Sequence, residues 1–348
     1  MLTCYVVIVN WNGWKDTCAC LESVFSAHSP TPCVIVCDNA STNDSIDRIR
    51  AWANGNEPVN KSQWPILGPH FDSAPKPFRL VELTRAQAES GDTPLVSDIY
   101  LIHTGANLGF AGGCNVGLRL AMARGDADYV WLLNNDTVVD PGALNALIGT
   151  AISQPGAGLI GSTLLYFYRP DLVQAMGGGT FSACQATTQH IGEGSFWRGL
   201  SERSRMTVQQ NMSYVVGASM LVTRTMLDRV GLMQEDYFLY YEEIDWAERA
   251  RRISPPFSLG YAADSIVYHK EGASAGTNSG SLESLRWLSQ NRLRFIKRFY
   301  PRYVLLARIR TAIDGLKYLI RGSFQASWIL LNAASKAITV ETWKDIKL

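Results

Sequence analysis

Asn134, Asn135 and Asp136 end an apolar run, residues 129–133, and are the residues whose types and spacing most directly suggest chemistry. Such a run reads as a buried central strand, and a parallel sheet presents its chemistry beyond the carboxyl ends of its strands. Asn134 and Asp136 are two positions apart, so in extended chain their side chains fall on the same side. One carboxylate and one amide oxygen suit a hard divalent cation that keeps waters and takes its other ligands from a substrate phosphate. By itself the pair fits a strand-end turn, with Asn and Asp bonding their own backbone, at least as well.

A second constellation is the acidic cluster Glu242, Glu243 and Asp245, which follows the aromatic run 237–241. Three acids at a helix start complement the helix dipole, and Asp245 with Arg249 has the spacing of a helical ion pair. The aromatic neighbours offer a different use, because partial burial raises a carboxylate's pKa towards that of a general base. His269 closes a strand at 265–269 and, taken alone, reads more readily as a packed or surface histidine than as a ligand.

The elements that must position these groups alternate from the start. The β-branched run 4–10 is a first strand, residues 15–27 a helix, 33–37 a second strand, and 38–42 opens a helix through residue 50. That alternation predicts an α/β fold with a mostly parallel, Rossmann-like central sheet flanked by helices. Residues 55–98 lose periodicity amid scattered prolines and read as an insertion of no assignable function. Residues 99–103 resume the sheet, a Gly-rich turn follows at 105–113, then a helix at 116–124 and the fourth strand at 129–133. Asp140 and Pro141 are expected to cap the next helix. Residues 158–212 read as a β-rich cover, 237–252 as a helix, and 282–299 and 303–337 as closing helices.

At 348 residues with 47% hydrophobic and 18% charged, the chain can bury a full core. Its seven cysteines are odd in number and fall largely in apolar runs without zinc-site spacing, so a reducing compartment is expected. No basic stretch precedes the first strand, so no secretory leader is expected. Residues 281–348 hold 13 Lys or Arg and 4 Asp or Glu, a balance of +9 that leaves 1–280 at −8 because the whole chain is +1. The acidic body argues against nucleic acid. The basic, aromatic-interleaved end suits either amphipathic helices packed on the body or an anionic membrane surface. The division expected is a body at 1–280 and a basic amphipathic region at 281–348. Of the loops at strand ends, none fits the dinucleotide fingerprint or the P-loop, which disfavours a dehydrogenase or an ATPase.

Five stretches in order, Val6-Val7-Ile8-Val9-Asn10-Trp11-Asn12, Asp38-Asn39-Ala40-Ser41, Asn107-Leu108-Gly109-Phe110-Ala111-Gly112-Gly113-Cys114-Asn115, Leu132-Leu133-Asn134-Asn135-Asp136 and Tyr240-Tyr241-Glu242-Glu243-Ile244-Asp245, resemble the family-2 inverting glycosyltransferases of GT-A fold, rhamnosyltransferase-like branch. The resemblance spans roughly residues 4–300. It implies that Asn10, Asp38 and Asn39 border the nucleoside, and that Asn107, Gly109 and Asn115 line the donor phosphates. It implies further that Asn134 and Asn135 flank the donor, and that Asp136 binds Mg2+ or Mn2+. His269 would be a second metal ligand and Asn134 a weak third, since Asn134 replaces the first Asp of the family's metal motif. Glu243 would be the catalytic base, with Glu242 and Asp245 as alternates because Glu243 replaces the family's usual Asp. Gly217 and Ala218 would shape the acceptor side.

The function this implies is metal-assisted inverting transfer from a dTDP-, UDP- or GDP-linked sugar, dTDP-rhamnose being one candidate. The acceptor would be a bacterial surface glycan or a lipid-diphosphate-linked saccharide. The protein would be cytoplasmic and peripheral at the inner membrane face. The rival readings are a catalytically inactive nucleotide-sugar-binding or scaffold protein and, more remotely, a sugar nucleotidyltransferase.

Overall fold

The computed structural model describes residues 2–27, 32–62, 64–65, 74–91, 93–94, 96–271 and 281–336. Two βα units open the chain: β1 (Cys4–Asn10) with α1 (Trp14–Ala27), and β2 (Cys33–Asp38) with α2 (Ser45–Ala53). β3 (Leu80–Thr84), α3 (Arg85–Ser90), β4 (Ile99–His103), α4 (Gly109–Arg124) and β5 (Tyr129–Asn134) extend the same pattern. Next come β6 (Thr137–Val139), α5 (Ala143–Ser153) and the long β7 (Ala157–Tyr166). A cover follows, built from β8 (Arg169–Met176), β9 (Gly178–Ser182), β10 (Thr187–His190), α6 (Glu202–Asn211) and β11 (Tyr214–Val215). β12 (Ser219–Thr223), α7 (Arg224–Val230), α8 (Glu242–Arg252) and β13 (Ser258–His269) complete the body. The helices α9 (Leu282–Phe299), α10 (Val304–Ile320) and α11 (Phe324–Ser335) end it.

One sheet runs β3-β4-β2-β1-β5-β12-β7-β13-β6, with β8 paired to β7. From β3 to β5 every pairing is parallel; β12 enters antiparallel to both β5 and β7. The register aligns Asn10 with Asp38, Asp38 with His103, and Val9 with Asn134, so the polar ends of four strands share one edge. Apolar residues are buried on both faces, one packed by α4, α7, α8 and α9, the other by α1, α2 and α5. Where β5, β12, β7 and β13 cross the core, the indole of Trp131 donates to Ser219 at 2.9 Å, and Ser219, Ser162 and Ser265 are chained by hydroxyl contacts. These buried hydroxyls satisfy one another.

The α/β fold with its mostly parallel sheet stands as the sequence predicts, with several local corrections. Within 55–98 lie an edge strand, β3, and a helix, α3, which a capping box between Thr84 and Gln87 starts. Only Leu83 of β3 is buried, so an edge strand this short carries almost no hydrophobic pattern. The strand at 129–133 is therefore the fifth. The Gly-rich turn is mostly the first turns of α4, and α5 begins at Ala143 with Gly142 as N-cap, not at Asp140. The helix expected from 237 begins only at Glu242, and the one expected over 303–337 breaks at Arg321–Ser323, where Gly322 has φ +79°. Residues 337–348 lie outside the described residues.

All seven cysteines are free. Burial pushes the thiols of Cys4, Cys18, Cys20, Cys33 and Cys37 up to about 12, which keeps them inert.

Candidate active site

β5 and β13 deliver the first group of polar residues. His269, the last residue of β13, places Nε2 3.1 Å from Asp136 Oδ1 and 3.4 Å from the amide nitrogen of Asn134. Asp136 and His269 are both buried. The imidazole Nδ1 lies 2.9 Å from Gln174 Oε1 on β8, a carbonyl oxygen that accepts only, so Nδ1 carries a proton. Burial by itself would lower the His269 pKa, but the charge of Asp136 and its hydrogen bond raise it. With Nδ1 protonated, Nε2 faces the Asp136 carboxylate and, when it carries no proton, presents its lone pair beside that carboxylate. A hard oxygen and an imidazole oriented by a second carbonyl fit a divalent cation whose remaining ligands are water and phosphate. Among the described residues no group of three His, Cys, Asp or Glu could hold a metal; a cation here would have this pair, with Asn134 alongside, as its protein ligands.

The nucleoside-side residues form a relay along the sheet edge. Asn10 donates to Asp38 at 2.7 Å, Thr17 donates to Asn10 at 2.8 Å, and Asn135 donates to Thr17 at 3.0 Å. Asp38 also accepts from the backbone and hydroxyl of Ser41 at 2.9 and 2.6 Å, which leaves its carboxylate about one of its four lone-pair sites. Asn39 donates to the Gly109 carbonyl at 2.8 Å, while its own Oδ1 is buried without a partner. Asn107 is exposed, and its Oδ1 accepts from Gly109 N at 3.0 Å. Gly109 has φ +71°, and a Cβ there would collide with the Phe238 carbonyl, so no other residue fits. Asn115 departs from expectation. It is buried, it donates to the Met233 carbonyl and to Glu235, and it accepts from Met233 N. Its amide is consumed in pinning that loop, so it is not a free donor-binding group.

The acidic group sits at the start of α8. Phe238, Tyr240 and Tyr241 all have positive φ, at 60°, 68° and 77°, a conformation that non-glycine residues adopt only under constraint. Glu242 and Glu243 follow, each with a buried Oε2 that has no hydrogen-bond partner. Burial, and then the charge of Glu243, holds the Glu242 carboxyl well above its usual range. Burial raises Glu243 to about 7 against the pull of the helix N-terminal N–H groups. Glu242 is the more enclosed and lies near Cys114 of α4; Glu243 is only half-buried and lies near Tyr214 of β11. Asp245 is removed from the candidate bases. It is fully buried, receives Arg249 at 2.7 Å, Arg298 at 2.9 Å and the Tyr237 hydroxyl at 3.0 Å, and so is a structural counter-ion.

A short segment joins the two groups. Tyr214 lies near Glu243, and four residues on the Ala218 carbonyl accepts from Asn134 N at 3.0 Å. Four residues of chain span at most about 14 Å. Gly217 lies between them, with Phe110 closing over it.

Several contributors were not singled out from sequence. Gln174 sits mid-strand with no motif. Asn291 and Arg298 lie on α9, in what reads as a basic tail, yet Asn291 donates to the carbonyls of Tyr237, Leu239 and Tyr240, and Arg298 reaches Asp245. Phe295 and Phe299 of α9 belong to the main core, so the compact body runs through Phe299. The signal that α9 offers is its amphipathicity, with Asn291 and Arg298 on the buried face.

Residues 81–231 match the family model described as Glycosyl transferase family 2. The chain is 25% identical over 203 residues to N-acetylglucosaminyl-diphospho-decaprenol L-rhamnosyltransferase of Mycobacterium tuberculosis, covering 53% of this chain and 62% of that protein. It is 24% identical over 159 residues to the low-salt glycan biosynthesis hexosyltransferase Agl10 of Haloferax volcanii, covering 44% and 47%. The chain thus spans 47% to 62% of the length of these curated relatives. In fold it is similar to the mannosyltransferase PcManGT from Pyrobaculum calidifontis, solved with GDP-Man and Mn2+, at TM-score 0.50 and 13% identity over 95% of this chain and 85% of that one. Over residues 81–231 the chain is thus similar to the family 2 glycosyltransferases, and its mostly parallel sheet with a strand-end polar edge has the GT-A fold.

Proposed function

We propose that the chain is a metal-dependent inverting glycosyltransferase that moves a sugar, rhamnose before other hexoses, from a dTDP-, UDP- or GDP-linked donor. The acceptor is a bacterial surface glycan or a lipid-diphosphate-linked saccharide. The observation that carries this reading is the pairing of two unlike sites across one short segment. A carboxylate poised near pH 7 lies by Tyr214, and a carboxylate–imidazole pair lies beside Asn134, which Ala218 holds. The rhamnosyltransferase among the relatives supports the choice of sugar and of a lipid-linked acceptor.

In this mechanism Asn10, Asp38 and Asn39 border the nucleoside, and the Asn107–Gly109 turn and Asn135 line the donor. Asp136 and His269, with Asn134 as a weaker third, would hold Mg2+ or Mn2+, which would supply positive charge to neutralise the leaving diphosphate. Glu243 takes the proton of an acceptor hydroxyl as its oxygen attacks the anomeric carbon from the face opposite the diphosphate. One displacement inverts the configuration. The absence of a side chain at Gly217 and the small one at Ala218 leave room for the acceptor. The enzyme works as a peripheral protein at the inner face of the cell membrane, where the +9 balance of residues 281–348 attracts anionic lipid.

The test is a panel of dTDP-, UDP- and GDP-sugars, each with Mn2+ or with chelator, read by thermal stabilisation and by release of nucleoside diphosphate. Stabilisation by one donor that requires Mn2+, with turnover on a polyprenyl-diphosphate saccharide, is expected. Donor binding without metal dependence or turnover would favour a binding protein instead.

A further inference from the structure

α10 is apolar on two opposite sides. Ala307, Thr311 and Gly315 are buried, the last beneath Leu330 and Leu331 of α11. On the other side Leu305, Leu306, Ile309, Ile313, Leu316 and Ile320 recur at helical spacing, and all are exposed, from 44% at Ile313 to 85% at Ile320. α11 adds Phe324 and Trp328, one turn apart, at 71% and 64% exposed. Exposed aliphatic residues scattered singly need no explanation, but a continuous stripe of this length marks a contact surface.

Charge identifies what it contacts. Arg310, Lys317 and Arg321 are exposed along one border of the stripe. Residues 301–336 hold six Lys or Arg and one Asp, a balance of +5. That Asp314 is already shared by Arg292, Arg310 and Lys317. A second copy docked by two-fold symmetry through this face would set +5 against +5. Anionic headgroups supply the opposite charge, and the acyl region beneath them supplies the apolar solvent. At 17 residues α10 is about 26 Å long, and no described helix is long and apolar enough to cross a membrane.

We infer that the α10–α11 hairpin lies in the plane of an anionic bilayer surface, its aliphatic stripe sunk below the headgroups with Phe324 and Trp328 at the boundary. This deepens the membrane placement proposed above, replacing charge attraction alone with insertion. Its test reads lipid binding without turnover, so this inference and the transferase reading can fail separately.

Full-length protein is floated with vesicles of phosphatidylethanolamine and phosphatidylglycerol at low and at high salt. Wild type is expected to float at both, because the apolar part of the binding is unscreened. The triple variant I309S/I313S/I320S is expected to partition about tenfold or more weaker at both salts, with an unchanged melting temperature. The variant R310Q/K317Q/R321Q is expected to float more weakly than wild type at low salt and like wild type at high salt. Flotation of the serine variant like wild type would overturn the inference. So would a wild-type dimer in lipid-free buffer that the serine variant dissolves, because a second copy would then be the occupant.

Discussion

The amide nitrogen of Asn291 on α9 lies 2.7 Å from the carbonyl oxygen of Tyr237, and the same nitrogen reaches Leu239 at 2.8 Å and Tyr240 at 3.1 Å. Those carbonyls belong to the segment whose positive-φ residues aim Glu242 and Glu243. Backbone held in such conformations persists only where its surroundings over-determine it, and Asn291 supplies that constraint. Asn291→Ala is expected to cost about 1–3 kcal/mol by leaving buried carbonyls unpaired. Asn291→Asp should be at least as damaging, since a carboxylate cannot donate. Urea unfolding measures the stability, and kcat set against KM the site. A fall in kcat with donor KM little changed is expected, whereas unchanged kcat would mean that the segment holds its shape unaided.

Glu243 links stability and activity to pH with opposite signs. Its carboxyl ionises near 4.5 when unfolded and near 7 when folded, so between these values the folded state binds more protons. Stability is therefore full below about 4.5 and falls as pH rises towards 7, by about 3 kcal/mol in all. In the proposed mechanism transfer needs Glu243 ionised, so it is expected to rise over the upper part of the same range. Glu243→Gln is expected to melt higher than wild type at pH 8 and equally at pH 4, and to lose about 10²–10⁴-fold in transfer while still binding donor. Melting curves and single-turnover assays across pH check both halves. A Glu243→Gln protein with wild-type transfer would return the base to Glu242.

The proposed cation site would depend on Gln174 through His269. With its oxygen 2.9 Å from Nδ1, Gln174 fixes the ring orientation that leaves Nε2 facing Asp136. Gln174→Leu removes that hydrogen bond at similar volume, and Mn2+ affinity in the presence of nucleoside diphosphate should fall about 10–100-fold. Asp136→Ala should abolish the metal-dependent stabilisation, and chelation of the wild type should abolish transfer. Isothermal titration with Mn2+ gives the comparison; equal affinity in Gln174→Leu would detach His269 from the metal.

Periodicity and composition made the sheet legible where residues repeat a pattern. β1 is found at residues 4–10 as read because it carries an unbroken apolar run, and α9 at 282–299 because its apolar positions recur at helical spacing. The motif at 134–136 and His269, 133 residues away, do meet, but that meeting follows from β6 pairing with β13, which no local pattern encodes. Asn115 was illegible for the opposite reason. Its place in a Gly-rich motif suggests ligand contact, and only the fold shows Met233 and Glu235 taking its amide. Residues 237–241 read as helix because aromatic side chains suit a helix face. What excludes helix there is the tertiary demand of Asn291 and of Phe110, whose N–H takes the Phe238 carbonyl at 2.7 Å.

Asp245 distinguishes a structural acid from a catalytic one, and with it where the body ends. Its two oxygens are met by Arg249 and Arg298, whose side chains are 4% and 1% exposed, so the pair of guanidinium groups has no water to fall back on. Removing one partner of a buried ion pair costs about 3–5 kcal/mol, because the remaining charge is left uncompensated. Asp245→Ala is therefore expected to lose its cooperative thermal transition or to melt far lower, and any activity that survives should keep the wild-type pH dependence. A chain ending before α9 loses Arg298, Phe295 and Asn291 together and should not fold. One ending at Arg302 keeps all three and should retain donor binding while losing lipid binding. Circular dichroism melts of the two truncations, beside nucleotide-sugar thermal shifts, decide it. A folded, donor-binding chain ending at residue 280 would show that α9 is dispensable to the site.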